Sequence, residues 1–512
     1  MRDLSLYAKV GYYREQYDVI VIGAALAGLS AAITLRKAGK SVLILERHNL
    51  PGGVATSFVR GGVELEATLH EMMEIGPKES RRRIGKVLSD LGAEVDWIPV
   101  PDAYHLSIPG VEQTFHTGFE RFAKEADQVC PGCYDQLLEF LQFCREVSES
   151  ATSLQAEMKN VLHILRHHLP FVRTLGYSVK EVMDAFRLPD PVRDLISPYW
   201  LYVGSSVSEL PFTVYAVVMN EYIGYGAYIP RHTSHEMALR LAESAESLGV
   251  QIEYRQTVEK IILEDGKASA VRTRRGDVIR GSVILSGAYP HTVFRSMLEP
   301  VRDLPRKALK TAHSREMNLS AFSVVLLLDQ PKEALNLQDY CIFRAPHMQT
   351  EQQYEELLKL FGERFSASVC LNAANPETTP EGTCFFSTTI MPRVEAWQGV
   401  KPEDYDRIRH EIAEELLDEM SAYLGVSLRD HILEIVIETP VTISHYTGAH
   451  LGGVYGYKHS LLDHTVARTM QPETWELIPG LYFTGAHGAG GDGMAPCIGN
   501  GVAMAKRILG KG

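Results

Sequence analysis

The chain reads as an α/β protein built around a parallel sheet, and three stretches of sequence carry that reading. A β-branched run ends in glycine at residues 17–23, followed by a helical stretch and a second apolar run. A helix, a strand, a meander and a further strand succeed one another between residues 237 and 288. From residue 478 onward come a strand, a glycine-rich loop and a helix.

In the first stretch, Tyr17-Asp-Val-Ile-Val-Ile-Gly23 has the continuous apolar character of a strand covered on both faces. Gly23-Ala-Ala-Leu-Ala-Gly28 leads into Leu29–Lys37, which has helical apolar spacing and Gly39 as a stop. Ser41-Val-Leu-Ile-Leu-Glu46 is a second strand that ends in an acid. Gly23 permits the tight turn, Gly28 lets the helix pack closely on the strand, and the helix N-terminus faces a pyrophosphate. Glu46, 18 residues beyond Gly28, is placed to accept hydrogen bonds from ribose hydroxyls. Ala25 departs from the pattern, standing where a glycine usually brings the backbone close to the phosphates. A glycine triplet alone is weak evidence; strand, helix, strand and acid in register predict dinucleotide binding.

The next residues narrow the ligand. Glu46-Arg47 is followed by Pro51-Gly52-Gly53-Val54. An acid–arginine strand end and then a Gly-Gly step resemble FAD-binding flavoproteins, in which the second glycine pair runs beside pyrophosphate and flavin. The resemblance implies FAD held by Gly23, Ala25, Gly28, Glu46, Arg47, Gly53 and Val54. No second unit for a nicotinamide nucleotide follows, and no Cys-x4-Cys pair, which argues against a disulfide reductase.

Met237–Leu248 is helical in pattern, and Gly249 to Ile261 is strand-like after it. A turn at Glu264-Asp-Gly266-Lys separates it from strands at Ala268–Thr273, Val278–Arg280 and Val283–Ala288. This series is similar to the second half of an FAD domain, with Val258 offering backbone contacts to adenine; an ordinary α/β segment is the alternative. Near the end, Ile478-Pro-Gly-Leu-Tyr-Phe-Thr-Gly485 precedes the loop Gly488–Gly493 and helical residues from Met494 to Leu509. Backbone N–H groups around Gly485, Asp492, Gly493 and Met494 would then face the flavin ribityl chain and pyrimidine ring.

Taken together, these motifs resemble the phytoene desaturase, carotenoid isomerase and retinol saturase-like flavoproteins. Gly62-Val-Glu-Leu-Glu66-Ala-Thr-Leu-His70, Tyr202-Val-Gly204, Tyr228-Ile-Pro230 and Gly453-Val-Tyr-Gly456 extend the likeness over most of the chain. The resemblance implies a Rossmann-like FAD-binding domain of the glutathione reductase/amine oxidase type, formed by residues 1–75, 225–295 and 470–512. An α+β substrate domain, residues 76–224 and 296–469, is interleaved with it. The implied activity is that of an FAD-dependent oxidoreductase, desaturating or saturating carbon–carbon bonds of a lipophilic isoprenoid or polyene. An external electron donor or acceptor completes the cycle, and no motif identifies it. Two departures mark a divergent member: Arg231-His232-Thr233 replaces the usual Gly-Gly, and Gly485-Ala486 stands where some relatives have Gly-Asp. Redox-neutral cis–trans isomerisation stays open, as does a non-catalytic prenyl-binding role of the Rab GDP-dissociation inhibitor kind, against which the intact fingerprint argues.

On the substrate side, eight of the thirty residues 199–228 are aromatic, against 9% of the chain. They either line an apolar tunnel to the flavin or form an interdomain core. Ala156–Leu175 is amphipathic with His163, Arg166, His167, His168 and Arg173; a solvated helix face is the first reading and peripheral membrane contact the second. No carboxylate or cysteine accompanies these histidines at ligand spacing, so no metal is expected. Cys130-Pro-Gly-Cys133 reads as a helix-start turn. His70, His232 and Glu66 are the candidate catalytic residues, since each adjoins a segment expected to reach the flavin.

Composition sets outer bounds. The 512 residues carry a formal charge of −13, which argues against nucleic acid as a partner. Seven cysteines imply no disulfide framework and a reducing, cytoplasmic setting. The longest uncharged run near the amino terminus, Val19–Leu35, is explained by the fingerprint, so no secretory or membrane-spanning segment is expected.

Overall fold

In the computed structural model, which describes residues 13–157, 168–300, 314–464, 476–488 and 490–510 with Arg306, Lys310, Ala467 and Arg468, two large sheets carry the fold. The parallel part of the first runs Leu481–Phe483, Val278–Ser286, Gln16–Ile22, Val42–Leu45, Gln251–Glu253 in spatial order. At its start Val278–Ser286 also pairs antiparallel with Lys267–Thr273, which pairs with Val258–Glu264; Leu298–Glu299 closes that edge.

The period of two decides what each face meets. Val19, Val21, Val42 and Ile44 pack against the helices Leu26–Lys37, Ser234–Ser247 and Met494–Ile508. Ile20, Ile22, Leu43 and Leu45 point the other way, onto Val258, Ile261 and Val271 of the meander. Helix Arg83–Leu91, beyond residue 75, also lays Ile84, Leu88 and Leu91 on the first core.

Two local readings differ from the sequence expectation. Val278–Ser286 is one unbroken strand rather than two. Gly281, which lies between the two expected strands, is there for packing: a Cβ on it would lie 2.9 Å from Ile20 Cγ1. Conversely, the stretch after Gly249 divides into Gln251–Glu253 and Val258–Glu264, with Arg255 turning the chain at φ 56°.

The second sheet has seven strands, in the order Ile432–Glu438, Phe322–Leu328, Cys384–Ile390, Ser366–Val369, Cys341–Arg344, Tyr104–Ile108, Val111–Phe115. All neighbours are antiparallel except Cys341–Arg344 with Tyr104–Ile108. Helix Tyr405–Leu424 covers one face, where Ile412, Leu416 and Met420 meet Phe322, Val324 and Leu326. The other face carries helices Phe119–Val129 and Tyr134–Glu157 and most of the aromatic segment.

That segment divides between the two expected roles. Tyr199, Trp200, Phe212 and Tyr215 are fully buried packing, whereas Tyr202 and Tyr222 keep part of their rings open. Cys130 and Cys133 flank the turn between two helices, and burial pushes the Cys133 thiol up to about 11. Residues 158–167 of the amphipathic stretch, with His163, Arg166 and His167, lie outside the described residues; His168 is buried and Arg173 exposed. Among the described residues no helix is long and apolar enough to cross a membrane.

Candidate active site

The parallel strands of the first sheet end along one edge, and two helices begin there. Gln16–Ile22 runs into Gly23, whose φ of 99° favours glycine, and the Gly23 N–H donates to the Leu45 carbonyl at 2.9 Å. A Cβ on Gly28 would lie 2.2 Å from the Gly23 oxygen, so only glycine lets the helix sit this close. Helices Leu26–Lys37 and Met494–Ile508 both start without a side-chain cap and without an acid in the first turn. Each therefore offers open N–H donors and a positive dipole end over the sheet edge. A Cβ on Gly501 would come 2.2 Å from the Ala27 oxygen, so the first turn of one helix packs backbone to backbone against the middle of the other.

The second glycine pair completes this corner. Gly52 N–H donates to the Ala24 carbonyl at 2.9 Å, and a Cβ on Gly53 would stand 3.0 Å from the Ala25 methyl. The methyl at Ala25 is thus accommodated by the bare backbone of Gly53. Val54, half-buried, accepts from Thr68 Oγ1 through its carbonyl at 2.7 Å.

Glu46 is buried and braces the turn, its Oε2 accepting from Ala24 N and its Oε1 from His48 N, both at 2.7 Å. Each oxygen keeps a lone pair for a ribose hydroxyl. Gln256 N donates to the Glu46 carbonyl at 2.8 Å. Its own buried Oε1 has no hydrogen-bond partner among the described residues, an acceptor that a nucleoside hydroxyl or amino group would satisfy. Val258 is buried two residues on. Arg47 reaches across to the second unit, donating to the His445 carbonyl at 3.0 Å.

At the other end of the edge, Gly485 (φ 123°) stands between two buried groups without partners among the described residues, Thr484 Oγ1 and His487 Nε2. Asn500 ties the following loop together: it accepts from Gly490 N at 2.8 Å and donates to the carbonyls of Gly485 and Gly491 at 3.0 and 3.2 Å. Asp492 Oδ1 meets His459 Nε2 at 3.1 Å, and Gly493 (φ 90°) turns the chain into half-buried Met494.

The three candidate catalytic residues separate here. Glu66 Oε1 accepts from the backbone of Ala67, Thr68 and Leu69 and from Ser234 Oγ, while Oε2 accepts from Ser234 N at 2.6 Å. A carboxyl at the start of helix Ser234–Ser247 with this many donors bonds as a structural clamp, although burial still pushes its pKa up. His232 is exposed, and no described hydrogen bond or ring contact joins it to His70. Its neighbour Arg231 is held at the surface by Asp96 and Glu377, at 2.6 and 3.4 Å.

His70 is differently placed. It is half-buried by area, yet burial pushes its pKa down to about 4. Half-buried Tyr202, Tyr222 and Tyr455 are likewise pushed above their ordinary values by burial. Burial is the leading cause of each of these shifts. Glu71, which sequence reasoning passed over, is buried too, and burial pushes its carboxyl up to about 8. The only sequence signal for it was an acid set in the apolar run around Leu69–Met73.

Two uncapped helix starts, an open acceptor beside Glu46 and unpaired groups at Gly485 suit a dinucleotide lying along one sheet edge. The sequence pattern of the flavin-containing amine oxidoreductases matches residues 26–509. The all-trans-retinol 13,14-reductase of Danio rerio is 24% identical over 511 residues, spanning 92% of this chain and 82% of its own. The chloroplastic prolycopene isomerase of Daucus carota is 24% identical over 530 residues, spanning 99% and 82%. Among solved structures, a variant of putrescine oxidase shares the fold at a TM-score of 0.64 and 15% identity, over 97% of this chain and 99% of the other. Cyclohexylamine oxidase from Brevibacterium oxydans does so at 0.59 and 14%, over 97% and 99%. The fold is thus Rossmann-like with FAD as its cofactor, and the chain belongs to the flavin-containing amine oxidoreductases as a divergent FAD-dependent oxidoreductase.

Proposed function

We propose that the protein desaturates or saturates carbon–carbon bonds of a lipophilic polyene of the isoprenoid kind. The interior rings support this reading: three half-buried tyrosines and an imidazole that burial keeps neutral. Rings of this kind receive an extended apolar molecule and exclude water from it. The relatives named above act, by their names, on all-trans-retinol and prolycopene, both polyenes.

FAD, when bound, supplies hydride chemistry at its ring. The chain's own residues do the rest. Gly23, Ala25 and Gly28 with the uncapped helix start take the pyrophosphate, while Glu46 and Gln256 take the adenosine, with Arg47 and Val258 alongside. Gly53 and Val54 flank the cofactor, and Gly485 with Asp492, Gly493 and Met494 receives the flavin end. His70 offers a neutral ring to the substrate side.

A second reading, redox-neutral cis–trans isomerisation, is favoured by the likeness to prolycopene isomerase over 99% of this chain. One experiment separates them. The FAD-loaded protein is incubated without oxygen, with the flavin either oxidised or reduced by dithionite, together with all-trans-retinol or prolycopene. A product differing by two hydrogens supports the oxidoreductase; equal mass with a changed absorption spectrum supports isomerisation. No product from either polyene sinks both.

A further inference from the structure

Glu71 has no task in the site as described so far. Its buried carboxyl accepts one hydrogen bond, from the Tyr202 hydroxyl to Oε1 at 3.2 Å, and that is its only one among the described residues. The groups that face it are Tyr199, Tyr202, Tyr222, Tyr340 and Cys341, none of them cationic. His70, next to it in the chain, turns its ring edge to Tyr202 at 6.2 Å and makes no described ion pair with it.

The same tyrosines pack on one another, and the next ring, Tyr222, is linked to the loop given to the flavin end under the proposed function. Tyr222 stacks on Tyr199 at 5.0 Å and meets Tyr202 edge-on at 5.4 Å. Tyr222 also feels the charges of both Glu71 and Asp492, the latter from the loop that opens helix Met494–Ile508. It is carried on a π-helical segment, Met219–Tyr225, whose wide turn is a common device at functional sites. Glu71, Glu74 and Asp492 thus all push the Tyr222 hydroxyl up.

We propose that Glu71 is the catalytic acid that delivers to carbon the proton accompanying hydride, with Tyr202 as the positioning residue that fixes Oε1 and leaves Oε2 to carry that proton. The inference rests on the carbon–carbon reading of function. In the saturating direction the π bond breaks, one new C–H bond takes the hydride that reduced FAD supplies, and the other takes the Glu71 proton. Water then reprotonates the carboxylate. In desaturation the same bonds run in reverse, with oxidised FAD as the hydride acceptor. Burial holds Glu71 at about 8, so it keeps its proton at neutral pH, and the Tyr202 hydrogen bond pulls slightly the other way.

Infrared spectra of the FAD-loaded enzyme, titrated from about pH 6 to about pH 10, read the neutral carboxyl directly. The difference spectrum between wild type and Glu71→Gln is expected to show one lost neutral-carboxyl component that titrates near pH 8, with the Glu438 component unchanged in both. In Tyr202→Phe the Glu71 component should titrate at higher pH, because the one bond that lowers the pKa is gone. Polyene turnover by Glu71→Gln should fall about 100-fold or more with KM nearly unchanged, and Glu71→Asp should recover part of it. FAD content should stay stoichiometric throughout. Should Glu71→Gln fail to fold, polyene turnover followed against pH decides the matter: its alkaline limb should lie near pH 8 in the wild type and move to higher pH in Tyr202→Phe. Wild-type turnover in Glu71→Gln, or a wild-type-minus-variant difference spectrum with no neutral-carboxyl component titrating near pH 8, overturns the assignment and leaves the carbon–carbon reading standing. A wild-type enzyme that converts neither all-trans-retinol nor prolycopene overturns both.

Discussion

Asn500 joins three points of the glycine loop through one amide, and its removal tests how far that loop is pre-built. Asn500→Ala should weaken FAD binding about tenfold, or about 1.4 kcal/mol, measured by fluorescence titration of the apoprotein, with little change in helix content. Residues of this kind were hard to read from sequence for a physical reason. Gly23 and Gly28 are legible because a left-handed φ and a close approach each demand glycine, and Glu46 because an acid closes the second strand. Asn500 and Glu71 take their roles from partners elsewhere in the chain; Glu71 and Tyr202 are 131 residues apart. The same limit governs Glu66 and His232. Nothing local in the sequence tells that Ser234 will clamp the first or that the second will face solvent.

Among the elements, the pair of helices over the sheet edge is held together by close backbone packing. Gly501 lets them touch, and Gly501→Val would drive a branched side chain into the Ala27 carbonyl. The expected outcome is a loss of about 2–3 kcal/mol in urea unfolding together with release of FAD on gel filtration. The helices and strands of this edge were largely legible, because buried parallel strands, glycine stops and helical periodicity all leave local marks. Val278–Ser286 differs from the two strands expected at Val278–Arg280 and Val283–Ala288; the packing of Gly281 on Ile20 shows a strand glycine chosen for space. The seven-stranded sheet left weaker marks, since its order brings residues 104–115 beside residues 341–344.

Over the whole molecule, buried acids and buried histidines give stability a shape in pH. Glu438 lies buried beside Glu66 and is pushed up to about 8. Between the usual glutamate value and pH 8 the folded state keeps that proton and the unfolded chain has lost it. Stability therefore falls as pH rises through this window, by up to about 1.4 kcal/mol per pH unit, and levels off above it. His70 and His487, pushed down to about 4 and about 3, act oppositely: their contribution grows with pH until the usual histidine value is passed. Melting temperatures of the wild type and Glu438→Gln, compared at intervals from about pH 5 to about pH 9, should diverge progressively in favour of the variant up to pH 8. The cofactor sheet also has a history written into it. Its strands come from residues 16–45, 251–299 and 481–483, and the Met494–Ile508 helix follows. A ribosome must therefore make residue 508 before a nascent chain owns every element of this sheet edge. Until then the edge of Val278–Ser286 that Leu481–Phe483 will occupy stands unpaired, a natural point of engagement for a chaperone.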